Sequence, residues 1–302
     1  MSGVSMPEWA APAISTAGAA PDGTRMDTVE LLVRDLDAMT DFYQRAVTLD
    51  VLDQSGPTAT LGRGGVAAVV LRQEKDLPGA DRRGAGLYHT ALLFQDQSRL
   101  AGALASMAEH AGRLYQGSAD HLVSEAFYFA DPEGNGLELY RDRSRDEWSF
   151  QPDGSPLMGS EPLDPNVFLR TWYDPDAPIG ADVTALIGHV HLQVGDVPLA
   201  RAFYEGVLGF DVTADMGSAL FLSAGGYHHH IGMNTWHSAG AGPRAATLGL
   251  GDVRIRVPGR DDIAALADRL RHRGIASADD GRTLRFSDPW GTRLAVSPEG
   301  DR

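Results

Sequence analysis

The chain has 302 residues, 43% of them hydrophobic, enough to bury a sizeable core and to divide into two domains of ordinary size. Its 26 basic and 41 acidic residues leave a net charge of −15, which argues against partners that present a phosphate backbone or an anionic lipid surface. Cysteine is absent, so disulfides, thiolate nucleophiles and cysteine-held zinc are excluded, and a metal site would have to use histidine and carboxylate.

In chain order, residues 1–26 open without a basic start or a continuous apolar run, so they read as a flexible N-terminal tail of a cytoplasmic protein rather than a signal peptide. No stretch approaches the roughly 18 apolar residues of a membrane span. Neither nucleic acid nor membrane is expected as a partner. VELLVRDLDAMTDFYQRAVTLDVLD (29–53) then aligns without a gap on VHLQVGDVPLARAFYEGVLGFDVTA (190–214). Each copy predicts an alternating strand, an Asp-Leu or Asp-Val helix start, a helix ending near Phe-Tyr, and a second strand. The same offset places LGRGGVAAVVL (61–71) on LSAGGYHHHIG (222–232).

A second type of unit follows each of these. GLYHTALLF (86–94), a helix, and FYFADPEGNGLELY (127–140) are echoed by VRIRV, a helix, and LRFSDPWGTRLAVS (284–297), with Asp-Pro-x-Gly supplying the last turn. The chain therefore reads as α+β, four βαβββ modules, with modules 1 and 2 over 27–143 and modules 3 and 4 over 186–300. Residues 144–185, rich in Pro and Asp, form a linker with a short helix, and RDRSRDEW (141–148) reads as a solvated, ion-paired turn.

The repeat serves as its own control. Thr28 stands where His189 does, and Ala67, Ala68 and Val69 stand where His228, His229 and His230 do; Glu138 and Tyr128 correspond to Ala295 and Arg285. The fold does not need these polar groups, so their concentration in modules 2 and 3 suggests a site grafted onto it. His89 and His189 each lie seven residues before an Asp that ends their strand, Asp96 and Asp196, and occupy equivalent places on first strands. Two imidazoles and the Glu138 carboxylate would fill three positions of an octahedron and leave three open, an arrangement suited to non-haem Fe(II), with Mn(II) or another divalent metal as the alternative. Strand alternation puts His228 and His230 on one face and turns His229 away.

HLVSEAFYFADPEGNGLE, with His121, Tyr128, Asp131-Pro132, Gly134 and Glu138, resembles the signature of extradiol dioxygenases in the vicinal oxygen chelate superfamily, most closely the two-domain catechol 2,3-dioxygenase type; Ala119 departs from it. The resemblance implies two tandem domains with cup-shaped mixed sheets, and ring cleavage of a catechol or substituted catechol, a small aromatic diol, with O2. It implies metal binding by His89, Glu138 and His189, substrate contacts from His121 and Tyr128, and an acid/base histidine in YHHHIG, with His230 favoured and His228 the alternative. His191 is left as a neighbouring strand residue. Trp236, Met233 and Phe150 are candidates to line the ring pocket. Because neither half of the chain carries all three metal donors, module 2 is expected to pair with module 3, within one chain or across a swapped homodimer. A glyoxalase-type isomerase or thiol transferase, with His230 as a fourth ligand, and a metal-free binding protein are the alternatives.

Overall fold

A computed structural model describes residue 7 and residues 18–176 and 185–300. Residues 1–6 and 8–17 of the expected tail lie outside the described residues. The part of that tail nearest the first module is fixed, contrary to expectation: Ala20 is buried and its N–H donates to Gly209 O at 2.6 Å, and the first strand already begins at Arg25.

Module 1 comprises β1 (Arg25–Val33), α1 (Leu36–Arg45), β2 (Asp50–Ser55), β3 (Thr58–Arg63) and β4 (Val66–Gln73). Module 2 comprises β5 (Gly86–Phe94), α2 (Gln97–Ala111), β6 (Tyr115–Asp120), β7 (Ser124–Ala130) and β8 (Gly136–Asp142). The connection that follows carries β9 (Glu161–Pro162) and α3 (Pro165–Trp172). Module 3 is built of β10 (Ala185–Gln193), α4 (Val197–Tyr204), β11 (Asp211–Asp215), β12 (Ala219–Ser223) and β13 (Ile231–Asn234). Module 4 is built of β14 (Gly249–Val257), α5 (Arg260–His272), β15 (Ser277–Asp279), β16 (Leu284–Ser287) and β17 (Arg293–Pro298).

The repeated Asp after the first strands of modules 1, 2 and 3 is a helix N-cap, whereas Gly259 holds that place in module 4. Asp35, Asp96 and Asp196 accept hydrogen bonds from the N–H groups of Ala38, Arg99 and Leu199 at 3.0, 2.9 and 2.7 Å, supplying partners that the first helical turn cannot find within itself. One apolar stripe per helix then faces the sheets, as in α1, where Leu36, Met39, Phe42 and Tyr43 are buried.

The strands form two mixed sheets, and each sheet joins modules from opposite halves of the chain. Modules 1 and 4 give the order β15-β16-β17-β14-β1-β4-β3-β2, and modules 2 and 3 give β11-β12-β13-β10-β5-β8-β7-β6-β9. Both are seamed by an antiparallel pair of first strands, β1 with β14 and β5 with β10. The connection between the halves is more than a tether, because β9 extends the second sheet beside β6 and Phe168 of α3 packs its ring 4.9 Å from that of Phe127.

Within each half, the helix-ending Phe-Tyr and the Asp-Pro-x-Gly turn of the next module are partners. The Tyr43 hydroxyl donates to Asp131 Oδ2 at 3.3 Å, and the Tyr204 hydroxyl donates to Asp288 Oδ2 at 3.0 Å, all four groups being buried. Asp131 also accepts from the N–H groups of Glu133 and Asn135, so its carboxylate shapes the turn in which Gly134 takes a φ of +90°. Replacing Asp131 by Ala would leave two backbone N–H groups and a phenol without their acceptor, and equilibrium denaturation should show a loss of about 2 kcal/mol or more. A loss under about 0.5 kcal/mol would mean that the turn holds its shape without this carboxylate.

Candidate active site

The β5–β10 seam determines which side chains meet. Ala91 lies opposite His189 across the antiparallel pair and beside Glu138 of β8 across a parallel one, while His89 stands two residues from Ala91 on the same face. Three polar side chains thus surround a residue that ends at Cβ, and the space above Ala91 is theirs. His89 Nε2 lies 2.9 Å and His189 Nε2 3.1 Å from the same oxygen, Glu138 Oε2, and the potential ligand atoms of the three residues all lie within 4.8 Å of one another. Residues of modules 2 and 3 therefore converge within a single chain.

This cluster is almost dry, with Glu138 and His189 each 2% exposed. Burial is the largest influence on Glu138 and opposes its charge, but His189 and His89 together outweigh it and hold the carboxyl well below its ordinary range. For His189 burial dominates over Glu138, and the imidazole is pushed below its usual value. His89 Nε2, though close to the carboxylate, is not aligned to hydrogen-bond with it, and among the described residues it has no hydrogen-bond partner. A buried ring nitrogen without a partner, next to a carboxylate and a second imidazole, has the donor chemistry of a divalent-metal ligand.

The cluster forms the floor of a cavity of about 680 Å³. His121 and Tyr128 stand on one wall. The His121 Nδ1–H donates to Gly159 O at 2.7 Å, which leaves Nε2 to accept from the Tyr128 hydroxyl at 2.6 Å. Burial, followed by the Glu138 charge, raises the Tyr128 phenol well above its ordinary value, so it keeps its proton. Met158, Gly159 and Ser160, within the segment expected to be linker, also line this wall. His191, opposite His89 at a ring distance of 5.0 Å, accepts from Asn234 Nδ2 at 3.0 Å and borders the cavity as well. Of the three side chains expected near the ring pocket, Trp236 lines the cavity, Met233 is in the core, and Phe150 is 54% exposed away from it.

The histidine run does not follow the alternation expected of it. Residues 227–230 precede β13, and there the segment that matches β4 of module 1 leaves the regular ladder. His229 is consequently the member of the run that lines the cavity, its ring 4.1 Å from that of His189. His228 and His230, the two residues chosen from the sequence, point elsewhere. His230 Nδ1 accepts from the Ala224 N–H at 3.3 Å and lies 3.2 Å from Ser223 Oγ, which pins the loop. His228 is fully buried, with Nδ1 2.8 Å from His229 Nδ1 and Nε2 2.8 Å from Asp142 Oδ1. The 141–148 turn, expected to be solvated, supports this loop: Arg145 bonds to Gly226 O, and the Trp148 ring is buried 5.7 Å from that of His228.

One sequence signal for the residues behind the site was available on β8. In GLELYRD, alternation places Glu138, Tyr140 and Asp142 on one face. The Tyr140 ring lies 4.8 Å from that of His189, and its hydroxyl donates to Tyr227, which in turn donates to Asp142 Oδ2, both at 2.8 Å. Gly188 is what admits Tyr140, since a Cβ there would stand 1.7 Å from the phenol oxygen.

A family model described as the Glyoxalase/Bleomycin resistance protein/Dioxygenase superfamily matches residues 25–139 and 186–296. The chain is 35% identical over 275 residues to a Bacillus subtilis (strain 168) protein named catechol-2,3-dioxygenase, covering 89% of this chain and 95% of that relative. Two solved structures share the fold. A crystal structure from Bacillus subtilis subsp. subtilis str. 168, provisionally titled a dioxygenase, superposes with a TM-score of 0.62 at 13% identity, over 94% of this chain and 87% of its own. Glyoxalase I from Zea mays superposes with a TM-score of 0.55 at 18% identity, over 91% and 92%.

The loop pin carries a pH signature. Burial, then the neighbouring His228 and His189, lower the His230 imidazole from 6.5 to about 4. The folded state therefore holds this ring neutral, and its contribution to stability is complete above about pH 6.5, declines as pH falls, and is gone near pH 4, a change of about 3 kcal/mol. Chemical denaturation of parent and His230→Gln should accordingly give a stability difference that shifts in the variant's favour across that window. A difference that stays constant with pH would mean that the folded ring titrates as it does in the unfolded chain.

Proposed function

The chain belongs to the glyoxalase/bleomycin resistance protein/dioxygenase superfamily, and we propose that it is a non-haem Fe(II)-dependent extradiol dioxygenase that opens the ring of a catechol or substituted catechol with O2. The observation that carries this reading is the buried two-histidine, one-carboxylate set at the floor of a cavity of about 680 Å³. Its support is twofold. Three protein donors leave room for a bidentate diol and O2, and the Bacillus subtilis relative with a catechol-2,3-dioxygenase name aligns over nearly the whole chain.

His89, Glu138 and His189 would hold the iron. Bound there, iron(II) supplies chelation of the two diol oxygens and one-electron activation of O2. The remaining chemistry belongs to side chains. His229, on the cavity wall beside His189, is placed to take a proton from a diol hydroxyl and to return it, a role that suits an imidazole. Tyr128 keeps its proton and commits it to His121 Nε2, so toward the cavity its oxygen presents a lone pair that can accept from a diol hydroxyl. The apolar portion of the cavity, including Phe221 and Trp236, limits the water that reaches the floor.

The glyoxalase-type alternative would use a fourth protein ligand, and His230 was the residue available for it. Its Nδ1 is engaged with the loop backbone, and the donor cluster among the described residues has three members. This arrangement favours ring cleavage over isomerisation.

Anaerobically purified protein loaded with ferrous iron should turn over catechol in air to a yellow ring-opened product with matching O2 uptake. Single replacements His89→Ala, Glu138→Ala and His189→Ala should each remove both the iron and the activity; full activity in any one of them, or loaded protein that takes up no O2 with catechols, would defeat the reading. His229→Gln should keep its iron and lose on the order of 10²-fold or more in kcat, the range for a lost general acid/base, whereas a parent-like kcat would remove His229 from the chemistry.

A further inference from the structure

We propose that Asp142 is a positioning residue which, acting through His228, fixes the hydrogen of His229 on Nδ1 and leaves the Nε2 lone pair free for the substrate cavity. The inference deepens the dioxygenase reading, on which it rests for the role of His229.

It follows from counting donors along one chain of hydrogen bonds. A carboxylate can only accept, so the 2.8 Å contact between Asp142 Oδ1 and His228 Nε2 places the hydrogen of His228 on Nε2. With a single hydrogen on its ring, held on Nε2 by Asp142, His228 has Nδ1 as an acceptor. The 2.8 Å contact between the two Nδ1 atoms then needs its hydrogen from His229. No other partner engages the His229 ring through a hydrogen bond among the described residues, and the residue stands on the cavity wall. Its Nε2 is therefore the nitrogen without a hydrogen.

The anchor is held from more than one side. Tyr227 donates to the second oxygen of Asp142 at 2.8 Å and is itself the acceptor for Tyr140, so the carboxylate cannot turn away without breaking a second chain of bonds. His228 is fully buried, its carbonyl accepts from Thr213 Oγ1 at 2.6 Å, and Trp148 packs against its ring. Asp142 also borders a separate hollow of about 200 Å³ with Leu93, Phe94, Gln95 and Leu186, so it is reached by solvent without passing through the substrate cavity. A carboxylate placed there can orient His229 while remaining outside the reaction. The same logic governs the aspartate of serine-protease triads, where the amide variant installs the wrong tautomer with little change in shape.

Two measurements test the assignment. In protein labelled with ¹⁵N in its histidine rings and kept free of iron, the nitrogen shifts should show His229 protonated at Nδ1; hydrogen on Nε2 would overturn the proposal, whatever the protein's activity. In Asp142→Asn the amide NH₂ can donate to His228 Nε2, which reverses both imidazoles, so the expected spectrum has the His229 hydrogen on Nε2. In the iron-loaded form this variant should keep the parent's iron content and its KM within about twofold while kcat falls at least tenfold, and Asp142→Glu should recover part of the loss. Unchanged kcat in a folded, iron-loaded Asp142→Asn, with unchanged His229 shifts, would overturn it. Should the variant fail to fold, the parent spectrum still decides. A parent spectrum with Nδ1–H in a protein that cleaves no diol would defeat the dioxygenase reading and leave the tautomer assignment standing.

Discussion

The register of one antiparallel seam is the constraint on which the rest depends. Because β5 and β10 pair so that Ala91 faces His189 and His89 faces His191, donors 100 residues apart in the chain share a common point, and the parallel neighbour β8 adds Glu138 beside the same Ala91. A slip of one residue would turn His89 and His189 to opposite faces of the sheet. Nothing in the metal-donor set itself could repair such a slip, so the apolar side chains of the seam have to specify it. Val190, Leu192 and Leu92, buried on the face opposite the cavity, belong to the continuous core that does so.

The other sheet shows what this architecture does when it has no donor set to hold. Its seam, β1 with β14, leaves a smaller hollow of about 380 Å³ lined by Glu30, Arg72, Asp252 and Arg293. Glu30 stands in the place of His191, and Asp252, two residues before the neighbour of Ala295, stands in the place of His89. There the carboxylates face guanidinium groups, with Arg72 3.1 Å from Glu30 and Arg293 2.6 Å from Asp252. A buried carboxylate needs a compensating charge or hydrogen bonds. Arginine provides this in one cup, and two imidazoles stand against Glu138 in the other. Arginine fills its position with a fixed positive charge, whereas an imidazole offers a lone pair, so only the second cup retains donors for a metal.

The sequence shows a good deal of this because much of it is periodic. The four modules and the helix starts at Asp35, Asp96 and Asp196 come from repeats and capping patterns, and the choice of His89, Glu138 and His189 from the equal spacing of the two histidines to Asp96 and Asp196 together with the signature that ends at Glu138. The Tyr43–Asp131 and Tyr204–Asp288 bonds were present as repeated motifs whose partnership the pattern alone does not show. The histidine run was misread for a physical reason. Alternation holds only while a strand keeps its ladder, and after Gly225 and Gly226, both at positive φ, the chain rejoins β12 in regular pairing only at Ile231. The segment expected to be linker was misread for another: it meets His121 through the Gly159 carbonyl, a backbone group that residue type does not announce.

These two misreadings point to a division of labour. Strand residues at the floor, fixed by register, hold positions that tolerate no adjustment, and all three metal-donor candidates are of this kind. The group proposed to handle protons, His229, sits on a loop, where its position depends on side-chain bonds rather than on a ladder: Thr213 to the His228 carbonyl, His230 to the Ala224 amide, Arg145 to Gly226, Asp142 to His228. Each of those bonds acts on the 224–230 loop and is separate from the β5–β10 and β5–β8 pairings. A site of this construction can change how protons are delivered while the floor stays as it is, because the two tasks are carried by different kinds of backbone.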